Sequence, residues 1–198
     1  MVKPLTKGSE TRRRILDAAV DQFGLHGFRH TSVSAIAREI GLTAPAIHAH
    51  FATKNELFDA ALAHDAASLT VMVERLFDGR PGALGWAEAI PELVEAARRQ
   101  PLVRRVLENQ EPGMLARLAD VPMMANLRKR IASQIDLGQQ VGLIRTDLTA
   151  ATLSAGVEAI LMSLLLAAVQ TGVVETEPER AAGIVGVIVG GLLSRSTG

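Results

Sequence analysis

An all-α fold is predicted for this 198-residue chain by three observations. Hydrophobic residues make up 48% of it, yet aromatics are 3% and tyrosine is absent. The apolar content is therefore Ala, Leu, Val and Ile, which suits helix packed on helix. Apolar positions recur at the three-to-four spacing of a helical face, and no stretch alternates with the period of two that a strand needs. The length is enough to bury a core in one or two domains.

The elements follow in order. Residues 1 to 8 mix Lys, Pro and Gly and read as a flexible arm. A first helix runs from about Ser9 to Leu25, with Ile15, Leu16, Ala19, Val20 and Phe23 on one buried face, and Gly27 as its C-cap. Ser32 caps a second helix that turns Val33, Ile36, Ala37 and Ile40 inward and closes at Gly41. Thr43 caps a third, with Pro45 tolerated in its first turn and Ile47 and Phe51 buried. "TKNE" opens a fourth as a capping box, Thr53 with Glu56, and that helix continues to about Phe77. "DGRPGALG" is a loop by composition. Further helices are expected from Trp86 to Arg99, from Leu102 to about Asn109, and from about Met114 to Gly138 with a break or kink at Pro122. Thr146 or Asp147 caps the first of two very apolar helices, about 149 to 171 and 178 to 194.

Several function classes drop out. Without cysteine there are no disulfides, thiolate metal sites or cysteine nucleophiles. No G-x-S-x-G, phosphate-cradling glycine loop or H-E-x-x-H occurs. Glu158, His64 and Asp65 are conceivable acids or bases, but none has a second group at a defensible spacing, so no enzyme is expected. His48 and His50 lie about 200° apart around a helix, too far to share a metal ion with His64. No cofactor is expected. "MVKPLTKGSETRRR" lacks the apolar core of a secretory signal, which points to the cytoplasm.

The net charge is zero, but it is unevenly spread. Residues 1 to 56 hold eight Lys/Arg and five Asp/Glu, a net of +3; the remainder holds thirteen and sixteen, a net of −3. Four of the five histidines also fall in the first segment. Such a split points to a nucleic-acid-facing end.

The segment "TSVSAIAREIGLTAPAIHAHF" (31 to 51) supplies the geometry. Two short apolar-periodic helices meet at a glycine, neither long enough to be stable alone. Helix, short turn, helix is the arrangement that holds a second helix against the major groove of DNA. That groove, about 12 Å wide, admits one helix, and large residues on the helix's leading half would block the approach. Here the leading residues are Thr43, Ala44, Pro45 and Ala46, all small. Ala44 and Pro45, exposed but apolar, suit contact with a thymine methyl.

"TRRRILDAAVDQFGLHGFRHTSVSAIAREIGLTAPAIHAHFATKNELFDAAL" resembles the DNA-binding region of the TetR family of transcriptional repressors. Ala19, Phe23, Gly27, Phe28, Thr31, Ser32, Val33, Ile36, Ala37, Gly41, Leu42, Thr43, His50, Phe51, Lys54 and Leu57 carry the match over roughly the first 60 residues. The resemblance implies phosphate contacts from Thr43, from Lys54 and from the amides beside Ser32 at the start of the second helix. It extends the interface to the basic residues of the N-terminal part, Arg12 and Arg13 among them. His48 departs from the pattern, standing where the family usually has a tyrosine that bonds the DNA backbone. An imidazole can donate the same bond, more strongly when protonated, which opens a pH-dependent affinity. His50 matches the family and is expected to pack beside Phe51.

On this reading residues 1 to 56 form a three-helix DNA-binding domain, and 57 to 198 a helical ligand-binding and dimerisation domain. The resemblance implies a dimeric repressor on a palindromic operator, released by a small, largely apolar effector. A TetR-like activator and an effector-independent DNA-binding protein stay open as alternatives. Candidate pocket residues are Met72, Trp86, Met114, Leu118, Met123, Met124 and Met162, since methionine adapts to irregular apolar ligands. Glu158 either orients a ligand's polar group or pairs with an arginine. The helices at 149 to 171 and 178 to 194 are expected to form the homodimer interface and not to enter a membrane, because polar residues interrupt the first and the second is short.

Overall fold

The computed structural model describes residues 7–69, 86–171 and 190–193, with isolated positions at 179, 183, 186 and 187. Among the described residues the secondary structure is helical apart from one antiparallel bridge, Ile144 to Leu193. The helices are α1 (Lys7–His30), α2 (Val33–Glu39), α3 (Ala44–His48), α4 (Lys54–Ala67), α5 (Trp86–Arg99), α6 (Pro101–Leu107), α7 (Leu115–Ala119), α8 (Pro122–Gln140) and α9 (Ala150–Thr171). Contacts divide the chain into two compact units, Met1–Ala67 with Arg99–Val121 and Ser68–Arg98 with Pro122–Gly198.

In the first unit α1 packs on α4 and α6, burying the five apolar residues expected of it, Ile15, Leu16, Ala19, Val20 and Phe23. Phe23 and Phe58 meet edge to face with ring centroids 5.1 Å apart, and Phe28 completes the cluster at 5.2 Å from Phe58. Such edge-to-face pairs place the positive ring edge against the negative face of a neighbour. Gly24 lets α6 come close, since a Cβ there would lie 2.8 Å from Cβ of Pro101. α6 has no side-chain cap of its own. The buried carboxylate of Asp65, on α4, accepts the Leu102 and Val103 amides at 2.9 Å each and ends the helix from outside.

Several local expectations are corrected. α1 begins at Lys7, so Lys7 and Gly8 are helical and not part of an arm; the Thr11 hydroxyl donates back to the Lys7 carbonyl at 3.0 Å. Thr53 does cap α4, accepting from the Glu56 amide at 3.1 Å, but the Glu56 carboxylate reaches the Ala52 amide at 2.8 Å. The box is thus displaced by one residue. α4 closes at Ala67, and the extension to Phe77 lies, beyond Leu69, outside the described residues.

The second unit holds α5, α8 and α9. Of the break or kink expected at Pro122, the structure has the break: α7 ends at Ala119 and Pro122 starts α8, where its missing N–H and fixed φ cost nothing. α8 packs on α9, with Leu127, Ile131 and Ile135 facing inward from one and Leu153 and Val157 from the other. Gly138 makes room for Ile144, whose Cδ1 would lie 2.6 Å from a Cβ there. The cap of α9 is Thr149, whose hydroxyl accepts from the Thr152 amide at 3.2 Å. Thr146 and Asp147 are displaced from that role, Asp147 pairing with Arg145. α9 has a mean hydropathy of 1.9 over its most apolar window, only 28% of which is buried within the chain. Length and composition alone would let it cross a bilayer. The predicted helix at 178 to 194 falls mostly outside the described residues.

Candidate nucleic-acid interface

The helix-turn-helix is built by short-range hydrogen bonds. Ser32, extended at φ −115° and ψ 148°, accepts the Ala35 amide at 3.1 Å and starts α2. α2 ends in a Schellman motif: the Leu42 amide donates to Ala37 O at 2.8 Å and the Gly41 amide to Arg38 O at 3.3 Å. That closure requires φ of +69° at Gly41, the left-handed region in which glycine has no Cβ to clash. Thr43, at φ −100° and ψ 154°, then starts α3, its hydroxyl 3.4 Å from the Ala46 amide. Ile36, Ala37, Ile47 and Phe51 hold the pair to the core. Thr43, Pro45 and His48 are exposed and Ala44 is half-buried, so the leading face of α3 stays small. Arg14 braces the motif from α1 by donating to Ile40 O at 2.9 Å, a cation on the carbonyl end of α2.

The entry to this motif is a break in α1. Gly27 adopts φ 78° and ψ 168°, a conformation essentially confined to glycine. The Phe28 amide, released from the helix, donates to Glu111 Oε1 at 3.1 Å. Arg105 Nε donates to the same oxygen at 2.8 Å, so the buried carboxylate is both neutralised and used. Past the break the buried Thr31 hydroxyl lies 2.8 Å from Gly27 O and 3.0 Å from Gln22 O, one proton between two acceptors. Sequence reading identified Gly27 but not Glu111 or Arg105, which lie about eighty positions further along the chain. A glutamate following an exposed loop carries no local signal of such a role.

The other predicted contacts have local partners as well. Lys54, the first residue of α4, holds Nζ 4.5 Å from the Phe28 ring centroid. Its place at a helix start, which the dipole disfavours, is thus partly explained by a cation–π contact rather than by an anion alone. Arg12 lies over Phe51 at 4.8 Å, and Arg13 is exposed on α1. His48 Nδ1 is 3.3 Å from Phe51 O. A carbonyl only accepts, so this partner assigns the proton of the neutral ring to Nδ1. His50 sits tilted beside Phe51, centroids 6.5 Å apart.

The proposed ligand residues are divided between the two units. Met114 and Leu118 belong to the first unit; Met123, Met124, Glu158 and Met162 belong to the second. Leu118 and Met124 are buried core residues. Trp86 begins α5, and Met72 lies outside the described residues. Glu158 is paired: both its oxygens accept from Arg128 of α8, Oε1 at 2.8 Å from Nη2. That bidentate bond raises the Arg128 pKa above the usual guanidinium value. The arginine alternative therefore describes Glu158. His64, likewise, lies 2.7 Å from Asp17, and Asp65 caps α6, so each group once conceivable as an acid or base is tied into structure.

Comparison with known proteins agrees with this geometry. Residues 15–61 match the family described as bacterial regulatory proteins, tetR family. The HTH-type transcriptional regulator YdgC of Bacillus subtilis is 38% identical over 53 residues, 27% of this chain and 27% of that one. SrpR of Pseudomonas putida is 39% identical over 61 residues, 31% of this chain and 29% of its own length. The chain thus spans well under half the length of these relatives. A longer match is to UidR of Escherichia coli K12, 24% identical over 163 residues, 75% of this chain and 76% of UidR. Among solved structures, FadR from Bacillus subtilis superposes with a TM-score of 0.68 at 15% identity, over 90% of this chain and 98% of its own, a likeness of fold. YdgC, SrpR and UidR are each described as HTH-type transcriptional regulators. The N-terminal segment of the chain, residues 15–61, is thus similar to the tetR family of bacterial regulatory proteins, and the fold over the described residues is like that of solved transcriptional regulators.

Proposed function

We propose that the chain is a DNA-binding transcriptional repressor. It would act as a cytoplasmic homodimer on a palindromic operator and be released by a small, largely apolar ligand. The observation that carries this reading is the α2–α3 pair: two capped short helices around a Schellman glycine, with Thr43, Ala44, Pro45 and His48 on the leading face. Thr43, Lys54 and the amides behind Ser32 would hold phosphates, with Arg12 and Arg13 adding charge along α1. Residues 1 to 56 would carry the DNA contacts, and 57 to 198 effector and dimer contacts, although α4 and α6 pack into the same unit as the helix-turn-helix.

Two observations support the rest. Bacillus subtilis FadR has been solved with stearoyl-CoA, and a transcriptional regulator from Saccharomonospora viridis, 22% identical with a TM-score of 0.60, with choline. Proteins of this fold thus take small molecules, and Met123, Met124 and Met162 remain the adaptable residues of the second unit. The exposed apolar surface of α9, including Ile160 at 42% exposure, is best covered by a second copy.

The test is binding to DNA upstream of the protein's own gene at two salt concentrations. Wild type should bind saturably and lose affinity as salt rises. Thr43→Ala combined with Lys54→Ala removes two proposed phosphate contacts and should weaken binding by roughly tenfold or more, with a shallower salt slope. Unchanged affinity and slope would refute these contacts.

His48 gives a separate prediction. Its ring, exposed on the leading face of α3 with Nδ1 at Phe51 O, would present Nε2 to the DNA backbone. His48→Ala should weaken operator binding by about fivefold, the loss of one hydrogen bond. Equal affinities would exclude the contact.

A further inference from the structure

The first unit contains a cavity of about 430 Å³ that the DNA-binding reading does not use. Its volume falls in the range of about 300–1,000 Å³ typical of small-molecule sites. It lies where α1 breaks, beside the loop between α6 and α7. One part of its wall is apolar: Phe28, Pro112 and Met114. Another part is basic: Arg29 and His30, both exposed at the end of α1, and Arg105 of α6. The acid on the wall, Glu111, is already committed, its Oε1 accepting from the Phe28 amide and from Arg105 Nε. Arg105 and Glu111 offset one another, so the Arg29 guanidinium leaves one positive charge in excess beside an apolar surface.

We propose that this cavity is a binding site for a small organic carboxylate with a flat apolar body. Planar guanidinium donors match a carboxylate in two-point geometry, and five N–H groups per arginine leave donors beyond the Nε that Arg105 gives to Glu111. Phe28, Pro112 and the thioether of Met114 supply the apolar part of the wall against which the ligand's body would lie. An inorganic anion would satisfy the cations but leave that face wetted; a neutral ring would cover the face but leave the cations unanswered. The occupant touches Phe28 and Glu111, the residues that hold the chain at the Gly27 break.

Benzoate is the probe, titrated into the full-length protein by calorimetry, with benzyl alcohol and sulfate as the two half-ligands. Benzoate should bind saturably, and each half-ligand at least about tenfold more weakly, as loss of a charge-assisted bond or of apolar burial requires. Arg29→Gln, an exposed change that leaves the core intact, should weaken benzoate by about tenfold. Met114→Trp should abolish binding by filling the cavity. Benzoate should also shift the Phe28 amide resonance in wild type and leave it unmoved in Met114→Trp. Absence of benzoate binding, or binding that both variants leave intact, overturns the assignment. So does sulfate binding as tightly as benzoate, which would make this a simple anion patch.

Discussion

Gly27→Ala is expected to destabilise the protein by about 3 kcal/mol or more, the sum of backbone strain and a disrupted buried network. Gly27 sits at φ 78° and ψ 168°, where any side chain is strained. The added Cβ would also lie 2.2 Å from Glu111 Oε1 and 2.8 Å from Arg105 Nη2. Glu111 cannot withdraw freely, because it holds the Phe28 amide that the break exposes. The ion pair must open or the end of α1 must move, and α2 moves with it. Gly8→Ala is the control: Gly8 is also in α1 but has open space around it, so alanine there should stabilise by up to about 1 kcal/mol through helix propensity. Urea unfolding of both variants decides the matter. A Gly27→Ala midpoint equal to that of wild type would mean that the break is not set by this residue. Operator affinity should fall along with stability, since the break directs the chain into the helix-turn-helix.

The second large effect is expected at Asp65. Asp65→Ala should cost about 2–4 kcal/mol, because the amides of Leu102 and Val103 are buried and would each lose their acceptor. Asp65→Asn, which keeps an oxygen for those amides, should cost distinctly less. The same carboxyl predicts a pH dependence. Burial pushes its pKa above the usual aspartate value, and the two amide bonds, with His64 nearby, offset that only in part. The folded protein then holds this proton more firmly than the unfolded chain does. The contribution of Asp65 to stability is therefore greatest below the ordinary aspartate pKa, about 3.9, and declines as pH rises through the raised value. The difference in stability between wild type and Asp65→Asn, followed across that window, should shrink or change sign as pH rises. A difference that stays constant would show that burial does not perturb the group.

The two variants probe different junctions. Gly27 governs how α1 hands over to α2, and Asp65 governs how α4 holds α6. Both junctions lie in the unit that contains the helix-turn-helix, so the frame around α2 and α3 is built partly from residues 99 to 121. Residue 121 is far beyond the boundary at residue 56 that the charge distribution suggested, and packing explains why. α6 packs on both α1 and α4, burying Leu102, Val103 and Val106 in the same unit.

What the sequence by itself determined is whatever depends on neighbours a few positions apart. Ser32 and Thr43 as caps, Gly41 as the left-handed closure and the inward stripe of α1 all rest on contacts within about four residues, and each was legible as a pattern. The helical fold and the family resemblance rest on the same local rules. Tertiary structure alone decided the partners of Phe28, Asp65 and Glu158. Glu111 meets the Phe28 amide across 83 positions, Asp65 meets Leu102 across 37, and Arg128 meets Glu158 across 30. No spacing rule links such pairs, because helix packing, and not the path of the chain, sets the distance between them. The same holds for Lys54: the family resemblance implied a phosphate, while folding brought the ring of Phe28 beneath its ammonium group. A charge is legible in a sequence, but its partner is chosen by the surface that folding presents to it.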